Sequence, residues 1–337
     1  KSWQSVSLRD KMDLLREQSE KLKGHEAIVD WEASLWAIEM ESLLLTHAGG
    51  EVAQHIHMLS PQLSVTANRG AVTQSRSFGA YGESQQGGLE ILERIGFEQR
   101  PAKLCDEAML LLDAPDCPTG KMDLVLSPDQ MMLQVHESIG HPLELDRILG
   151  DERNYAGTSF VKLDMFGDYA YGSEHLNVSF DPTQEQEFAS YGYDDEGSAA
   201  QKVSIIDKGI LKHPLGGVIS RSRAPGIGGT ANARACSWNR PPIDRMANIN
   251  VEPGELTEKE LLGSVEKGVL MSTNRSWSID DSRNKFQFGC EIGRVIRDGE
   301  VGEVVKTPNY RGISATFWRS LIGVGNESTF EIQGSPF

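Results

Sequence analysis

The sequence predicts an α+β protein of two domains, built from mostly antiparallel sheets with a few helices. Short apolar runs separated by Gly, Pro, Ser and Asn fill residues 27–78 and most of the chain after residue 200, as is typical of strands joined by tight turns. Four segments with helical start signals interrupt these runs. A chain of 337 residues, 39% of them hydrophobic, is long enough to bury two cores. We therefore predict a helix with an antiparallel sheet at residues 1–120 and a strand-rich domain at residues 121–337.

Three of the predicted helices lie outside the chemically distinctive segment, and each has a recognisable start signal. The first begins with a capping box of Ser7 and Asp10, ahead of an apolar face. That face comprises Leu8, Met12, Leu15 and Leu22. A second helix is expected to begin at Pro101, because proline is favoured in the first turn of a helix. A later helix is expected to begin with the capping box of Thr257 and Glu260.

The strands are delimited by turn signals. In the first domain we place turns at three sites between residues 27 and 78, which are Gly49-Gly50, Ser60-Pro61 and Asn68–Gly70. The Gly-, Ser- and Gln-rich residues 81–88 predict an exposed loop. In the second domain, residues 122–127 predict a strand, and hairpin turns are centred on Gly209 and on Asp298-Gly299.

Composition excludes several classes of function. A formal net charge of -16 argues against direct binding of nucleic acid, which requires surplus Lys and Arg. No apolar run is long enough to span a membrane, and residues 1–13 lack the apolar core of a signal peptide. The four cysteines are scattered without a paired spacing, which favours a reducing cytoplasm. The first residue is Lys1 instead of Met, as expected of a fragment or a processed product.

The chemically distinctive segment is QVHESIGHPLELD, residues 134–146. Its histidines, His136 and His141, are spaced i, i+5, whereas the common zinc-binding helix places them at i, i+4 on one face. At about 100° per residue, the i, i+5 spacing directs the two side chains away from each other on a regular helix. Gly140 and Pro142 flank the second histidine and favour a widened, kinked or ended helix at this point. We therefore expect the two imidazoles to approach each other.

These residue types suggest a zinc centre. Ser127, followed by proline and then by Gln130 at the third helical position, is a strong helix start ahead of the motif. Neutral imidazoles suit zinc, so the two motif histidines are candidate ligands. Glu137 is the candidate general base toward water. Glu144 and Asp146 are candidates for a third ligand or for second-shell carboxylates that orient the imidazoles.

Four other features favour structural roles. His55 and His57 share one strand face without an acidic residue or Cys beside them in the sequence, which favours a structural or surface role over a metal site. The carboxylates at residues 194–196 favour a solvated turn over a cation site. Cys290 lies in an alternating stretch and is expected to be an inward-facing strand residue. Residues 226–234 lack the Lys-Ser/Thr ending of a phosphate loop and predict a flexible loop.

Several separated motifs resemble the TldD/PmbA family of zinc metallopeptidases, which are also named as modulators of DNA gyrase. The His-Glu-x-x-x-His element at residues 136–141, with the acids that follow it, resembles the TldD branch most directly. Residues 110–130 resemble the family's approach to that element, and residues 194–213 its Asp-Asp-Glu-Gly segment and hairpin. Arg245 and Asn248 resemble its Arg-x-x-Asn signal. The resemblance covers most of the chain from residue 7 onward.

The resemblance implies a TldD-like, zinc-dependent peptidase subunit that hydrolyses peptides or unfolded segments. Its implied partner is a related TldE/PmbA-type subunit in a heterodimer, with a homodimer as the alternative. The family has an α/β segment before the position of Lys1 and a third zinc ligand in a Cys-Gly-Lys-Gly-like segment beyond the position of Phe337. Two other functions stay open: a non-catalytic regulatory interaction subunit with weak or absent metal binding, and a metallohydrolase that acts on a small amide.

Overall fold

The computed structural model describes residues 2–79 and 82–336 and confirms the α+β class. Its first part contains an antiparallel sheet, with strand order β1-β2-β3 and with β4 also paired to β2. Helices α1 and α3 pack on this sheet and on each other. The elements are α1 (Leu8–Leu22), β1 (Ile28–Leu45), β2 (Glu51–Arg69), β3 (Val72–Phe78), β4 (Gln85–Gln86), α2 (Glu90–Arg94) and α3 (Arg100–Asp113), with 3-10 turns at Trp3–Ser5 and Phe97–Gln99.

The second part contains three further sheets and the motif segment. The largest sheet has the order β14-β13-β12-β5, with β15 also paired to β13, and a second has the order β11-β6-β7-β8. The elements that precede α7 are β5 (Asp123–Leu126), α4 (Pro128–Val135), a π-helix (His136–Gly140), α5 (His141–Leu143), α6 (Leu145–Leu149), a 3-10 turn (Leu163–Met165), β6 (Val178–Phe180), β7 (Val203–Asp207) and β8 (Ile210–Leu211). They are followed by α7 (Val218–Ser222), β9 (Ala233–Arg234), β10 (Ile243–Asp244), β11 (Ile249–Val251), α8 (Glu258–Gly263), β12 (Lys267–Ile279), β13 (Lys285–Arg297), β14 (Glu300–Lys306), β15 (Asn309–Ile313), α9 (Ser314–Arg319) and a 3-10 turn (Glu327–Thr329).

The start signals of three helices are confirmed. The Ser7 side chain accepts a hydrogen bond from the backbone N–H of Asp10 at the start of α1. Helix α3 has its predicted proline in the first turn. Thr257 and Glu260 form the reciprocal capping box of α8. These signals are readable from sequence because each acts between residues only three positions apart.

The hairpin turns at Gly209 and Asp298-Gly299 are also confirmed. Lys208 and Gly209 have φ values of 46° and 77°, and Asp298 and Gly299 have φ values of 50° and 80°. Two successive residues with positive φ form the type I′ turn, whose twist matches that of the strands it joins. The first turn joins β7 to β8 and the second joins β13 to β14.

The predicted turn at Ser60-Pro61 is wrong, because β2 continues through it. Pro61 pairs with Leu35 of β1 on one side of β2. On the other side, β4 pairs with β2 only at residues 58–59, and β3 pairs with it from residue 63 onward. Pro61 lies between these two partners, at a position where its missing N–H breaks no sheet hydrogen bond on that side.

The exposed loop predicted at residues 81–88 is also wrong for the residues described. Tyr81 lies outside them, but Ser84 and Gln85 are buried, and Gln85 belongs to β4. The Ser84 hydroxyl hydrogen-bonds that of Ser60 at 2.7 Å, and the Gln85 side-chain oxygen accepts from Arg94 at 2.9 Å. Polar residues enter the interior here because their hydrogen bonds are satisfied within it.

A buried ion network joins the two parts of the chain. Arg76 of β3 contacts Glu107 of α3 at 2.9 Å and also contacts Glu291 of β13. Glu291 accepts further hydrogen bonds from the backbone N–H and the hydroxyl of Ser77, at 2.8 and 2.6 Å. One apolar cluster contains residues between 22 and 112, and another contains residues between 135 and 318. The boundary between residues 120 and 121 stays a prediction.

Candidate metal centre

The motif segment is anchored by the largest sheet. Strand β5 pairs parallel to β12 and leads directly into α4. Ser127 occupies the N-cap position of α4 and proline follows at the first helical position, as predicted. The Ser127 hydroxyl contacts the Asp129 carboxylate, however, and makes no capping hydrogen bond. The Asp129 carboxylate instead accepts from the Gln130 N–H at 2.9 Å. The Gln130 side chain donates to the Tyr310 hydroxyl at 3.0 Å, so it does not reach back to the helix start.

The helix widens between the two histidines. Residues 136–140 form a π-helix, in which the His141 N–H donates to the His136 carbonyl oxygen. This i, i+5 hydrogen bond places His141 over His136, and their ring centroids lie 4.6 Å apart. The expectation of a widened helix that brings the two imidazoles together is confirmed.

Proline and its neighbours explain why the widening is stable. Pro142 cannot donate the helical hydrogen bond to the Ser138 carbonyl oxygen four residues before it. The buried Tyr171 hydroxyl donates to that oxygen instead, at 2.5 Å. Trp318 Nε1 donates to the Ser138 hydroxyl at 2.9 Å, and that hydroxyl donates to the Gln134 carbonyl oxygen at 2.5 Å. Side chains from outside the motif therefore satisfy the polar groups of the π-helix.

Gly140 permits close packing at the end of the π-helix. A Cβ atom at this position would lie 2.3 Å from Met246 Sδ and 3.2 Å from Ile249 Cδ1. Glycine therefore allows the segment before β11 to lie directly against the motif. The motif and strand β11 consequently face the same cleft.

His136, Glu137 and His141 converge on a common point. One potential ligand atom from each lies within 4.8 Å of the others. Burial, with a smaller contribution from the neighbouring His141, lowers the pKa of His136 to about 3. His136 is therefore neutral at physiological pH, which is the form of imidazole that binds metals. Two neutral imidazoles are donors that suit zinc, and the carboxylate beside them lies within reach of a water on the ion, so the residues present fit a zinc ion.

Glu144 orients the second imidazole. Its Oε2 atom lies 3.0 Å from His141 Nδ1 and 2.9 Å from Arg147 Nη2. Burial raises the pKa of Glu144, but His141, Arg147 and Arg245 outweigh burial and bring it to about 2. An ionised carboxylate at this position favours the proton on Nδ1 and leaves Nε2 of His141 free to bind a metal. The Glu144 carboxylate therefore contacts the His141 imidazole directly, and its role toward a metal stays a prediction.

Asp146 is not part of the converging group. Its carboxylate accepts from the backbone N–H of Arg147 at 2.6 Å and from that of Asp244 at 3.1 Å. The Asp244 carboxylate accepts from the Asp146 N–H in return, at 3.0 Å. Burial, with a smaller contribution from the neighbouring Asp244, raises the pKa of Asp146 to about 7. These contacts join α6 to β10 and direct Asp146 to the backbone.

Arg283 holds the carboxylate of Glu137. Arg283 Nη1 lies 2.5 Å from Glu137 Oε2, and Nη2 donates to the Ala156 carbonyl oxygen at 3.2 Å. Arg283 has a φ value of 62° in the turn between β12 and β13. This arrangement fixes the direction of Glu137 while leaving it beside both histidines.

The three converging residues line a cleft of about 2760 Å³. Alternate residues of the β1–β2 hairpin, including Gln54 and Ile56, form part of its wall, as does strand β11. Its volume exceeds the roughly 300–1,000 Å³ that is usual for small-molecule sites, so the cleft has room for an extended polymer.

The family of the chain follows from a domain match. Residues 119–336 match the family model described as the PmbA/TldA metallopeptidase C-terminal domain. The chain belongs to the TldD/PmbA family. This match includes the whole motif segment and most of the cleft wall contributed by the second part of the chain.

Individual relatives of this TldD/PmbA chain agree with that result. A Methanothermobacter thermautotrophicus protein named metalloprotease is 30% identical over 304 residues, which cover 90% of this chain and 63% of that protein. A Saccharolobus solfataricus protein named zinc metalloprotease TldD homolog is 29% identical over 196 residues, 57% of this chain and 41% of that protein. The crystal structure of TldE from Thermococcus kodakarensis shares the fold, with a TM-score of 0.73 at 15% identity, and covers 97% of this chain and 71% of that one. The chain thus spans less than two thirds of both curated relatives.

Other residues of this TldD/PmbA family member lie as follows. Cys290 is buried on β13, which confirms an inward-facing position. Residues 194–197 form a turn as predicted, and Asp195 is exposed. Asp194 is buried instead of solvated, and its carboxylate accepts three backbone N–H groups. Residues 226–232 form a loop as predicted, but β9 begins at Ala233. His55 and His57 lie on the hairpin, where strand pairing brings Glu39 opposite His57.

Sequence reasoning did not place any of the three arginines beside the motif. Arg147 follows Glu144 at i, i+3, a spacing at which an ion pair is predictable on a helix. The sequence marks Arg245 only as part of the Arg-x-x-Asn resemblance, and it is 101 positions from Glu144. Arg283 is 146 positions from Glu137, and no local pattern marks it. Among the described residues no helix has the length and apolar character needed to cross a bilayer.

Proposed function

We propose that this TldD/PmbA family member is the zinc-binding subunit of a peptidase that hydrolyses peptides or unfolded segments. The convergence of His136, Glu137 and His141 in one wide cleft carries the proposal. His136 and His141 would hold the zinc, and Glu144 orients His141 through its Nδ1 atom. When bound, zinc supplies Lewis acidity, which polarises a carbonyl group and lowers the pKa of water.

Glu137 would move the proton. Its carboxylate accepts a proton from the attacking water and passes it to the nitrogen of the leaving amine, which cannot depart as an anion. Arg283 holds Oε2 of Glu137 and so limits the directions in which the carboxylate accepts that proton. A histidine pair with an adjacent, fixed carboxylate therefore provides both binding and proton transfer in the cleft.

An exposed strand edge gives an extended substrate a place to bind. Strand β11 (Ile249–Val251) is the outer strand of its sheet and pairs only with β6 among the strands of that sheet. It is half-buried, lines the cleft, and lies against Gly140 of the motif. A peptide that pairs with its free side would lie beside Glu137, with affinity from main-chain hydrogen bonds. Such pairing is largely independent of side chains and suits unfolded segments.

The proposal also includes a partner subunit, a cellular location and a division into domains. The family relationship supports association with a related TldE/PmbA-type subunit, with a homodimer as the alternative. Cys105, Cys117, Cys236 and Cys290 are all free in the structure, which supports a reducing, cytoplasmic location. We also propose that residues 1–120 and 121–337 are separate domains, because each part contains its own apolar cluster.

Substitution of the base tests the proposal. In Glu137→Gln we expect one zinc near the motif to be retained and hydrolysis of unfolded peptides to fall at least about 100-fold, because the amide cannot accept the proton. Elemental analysis measures the zinc, and mass spectrometry measures the peptide fragments. His136→Ala should lower the zinc content by the one ion assigned to the motif, and the exposed Glu300→Gln is the matched control.

Two outcomes contradict the peptidase. The first is that the unaltered chain does not hydrolyse peptides, while Glu137→Gln binds a partner or a peptide as well as the unaltered chain does. This result would indicate a regulatory interaction subunit instead. Hydrolysis of small amides without fragments of peptides would assign a different metallohydrolase.

A further inference from the structure

A second group of potential metal ligands lies on the outer face of the β1–β2 hairpin, separate from the motif. His55 and His57 are two residues apart on β2, so both side chains leave the same face of the strand. Strand pairing places Glu39 of β1 directly opposite His57, and Glu41 directly opposite His55. Sequence inspection missed the acidic partners because they come from the neighbouring strand.

The distances within this group match shared coordination. Glu39 Oε1 lies 2.9 Å from His55 Nε2 and 3.9 Å from His57 Nε2. Donors about 2.0–2.2 Å from a tetrahedral zinc lie roughly 3.3–3.6 Å from one another, so these distances bracket the requirement. The two imidazole centroids are 4.4 Å apart, and each ring has its Nε2 atom within 4 Å of the same carboxylate oxygen.

A neighbouring amide prepares the carboxylate. The Gln4 side chain donates to Oε2 of Glu39, which leaves Oε1 facing the imidazoles. A hydrogen bond to the oxygen that does not bind the metal is the typical way in which proteins orient a carboxylate ligand.

We infer that Glu39, His55 and His57 bind a second divalent transition-metal ion, of the zinc class, at the surface of the hairpin. Glu41 is within cross-strand reach of the same point and is the candidate for a fourth ligand. The three ligand side chains are each about two-fifths exposed, so the ion can enter from solvent. The metal would link β1 to β2 at a position where hydrogen bonds alone otherwise hold the two strands.

This position connects the inferred site to the cleft. Residues at alternate positions of β2, among them Ile56, face the opposite side and line the cleft wall, together with the β1 residues 40–44. Gln54 accepts from the backbone N–H groups of Gly192 and Tyr193 at 2.9 and 3.0 Å on that side. A metal on the outer face would therefore restrain strands whose inner face borders the space proposed for substrate.

Zinc stoichiometry tests the inference independently of the proposed peptidase. The complete chain is dialysed against buffered Zn²⁺ and analysed for metal, with His136→Ala/His141→Ala as the background that removes the motif histidines. We expect this background to retain about one zinc per chain. Adding His55→Ala/His57→Ala should weaken that binding at least about 100-fold, and adding Gln4→Ala should weaken it about 10-fold.

The controls separate the two sites. His47→Ala/His175→Ala removes two exposed histidines outside both groups and should leave zinc binding unchanged. If the background variant binds no zinc, or if His55→Ala/His57→Ala leaves its affinity unaltered, the inferred site does not exist. If the unaltered chain binds zinc at the hairpin and none at the motif, the proposed peptidase is rejected and this inference stands.

Discussion

Tyr171→Phe tests whether a side chain from outside the motif maintains the π-helix. Pro142 leaves the Ser138 carbonyl oxygen without its helical donor, and the Tyr171 hydroxyl fills that place at 2.5 Å. Phenylalanine keeps the ring, so the packing of this buried side chain is conserved. The substitution therefore removes one hydrogen bond and leaves a buried carbonyl oxygen without that donor.

The expected cost follows from the burial of Ser138, which is 0% exposed. An unsatisfied buried acceptor costs about 1–3 kcal/mol. At about 1.4 kcal/mol per factor of ten, local opening of residues 136–141 should become about 5- to 150-fold more frequent. The zinc affinity of the motif should fall as well, because the imidazoles approach each other only across the π turn.

Hydrogen exchange measures the opening directly. Amide exchange is followed by mass spectrometry in peptides that contain residues 136–141, with strand β7 as an internal reference. Tyr169→Phe, on the partly buried neighbouring tyrosine, is the control and should change exchange by less than about twofold. Equal exchange in Tyr171→Phe and Tyr169→Phe would refute the assignment of Tyr171 as the substitute donor.

Three further predictions concern charge. Arg76→Met should lower the free energy of unfolding in urea by about 3–5 kcal/mol, because two buried carboxylates lose their partner. The control Arg69→Met breaks an exposed ion pair and should lower it by less than about 1 kcal/mol. Equal losses in the two variants would contradict this prediction. Burial raises the pKa of Glu187 to about 7, so the folded state holds its proton more tightly than the unfolded state does. The stability that this group contributes is complete below about pH 4.5 and is lost as the pH rises through about 7, by up to about 3 kcal/mol. In Glu187→Gln, the free energy of unfolding measured in urea should therefore fall less between these pH values than it does in the unaltered chain. An equal fall in both proteins would assign the pH dependence to another group. Glu144→Gln should weaken zinc binding at the motif about 10- to 100-fold in a competition titration, whereas the exposed Glu174→Gln should not; full affinity in Glu144→Gln would remove its orienting role.

Local interactions account for what the sequence predicted correctly. The capping boxes, the positive-φ hairpin turns and the approach of His136 to His141 all depend on residues at most five positions apart. Their energies act in any fold that contains the segment, which is why short patterns reveal them. The turn predicted at Ser60-Pro61 fails for the same reason, because the strands that flank Pro61 are distant in sequence and only their placement makes the proline acceptable.

The sequence by itself determined the α+β class and the widened motif helix that brings His136 and His141 together. Only the tertiary structure decided which charges surround them. Arg283 reaches Glu137 from 146 positions away, and strand pairing brings Glu39 to His55 across 16 positions. Both contacts arise because packing of apolar faces and sheet hydrogen bonds fixes the elements, and the polar side chains meet as a consequence. A local pattern has no access to that arrangement, since the free energy that establishes it comes from the whole core.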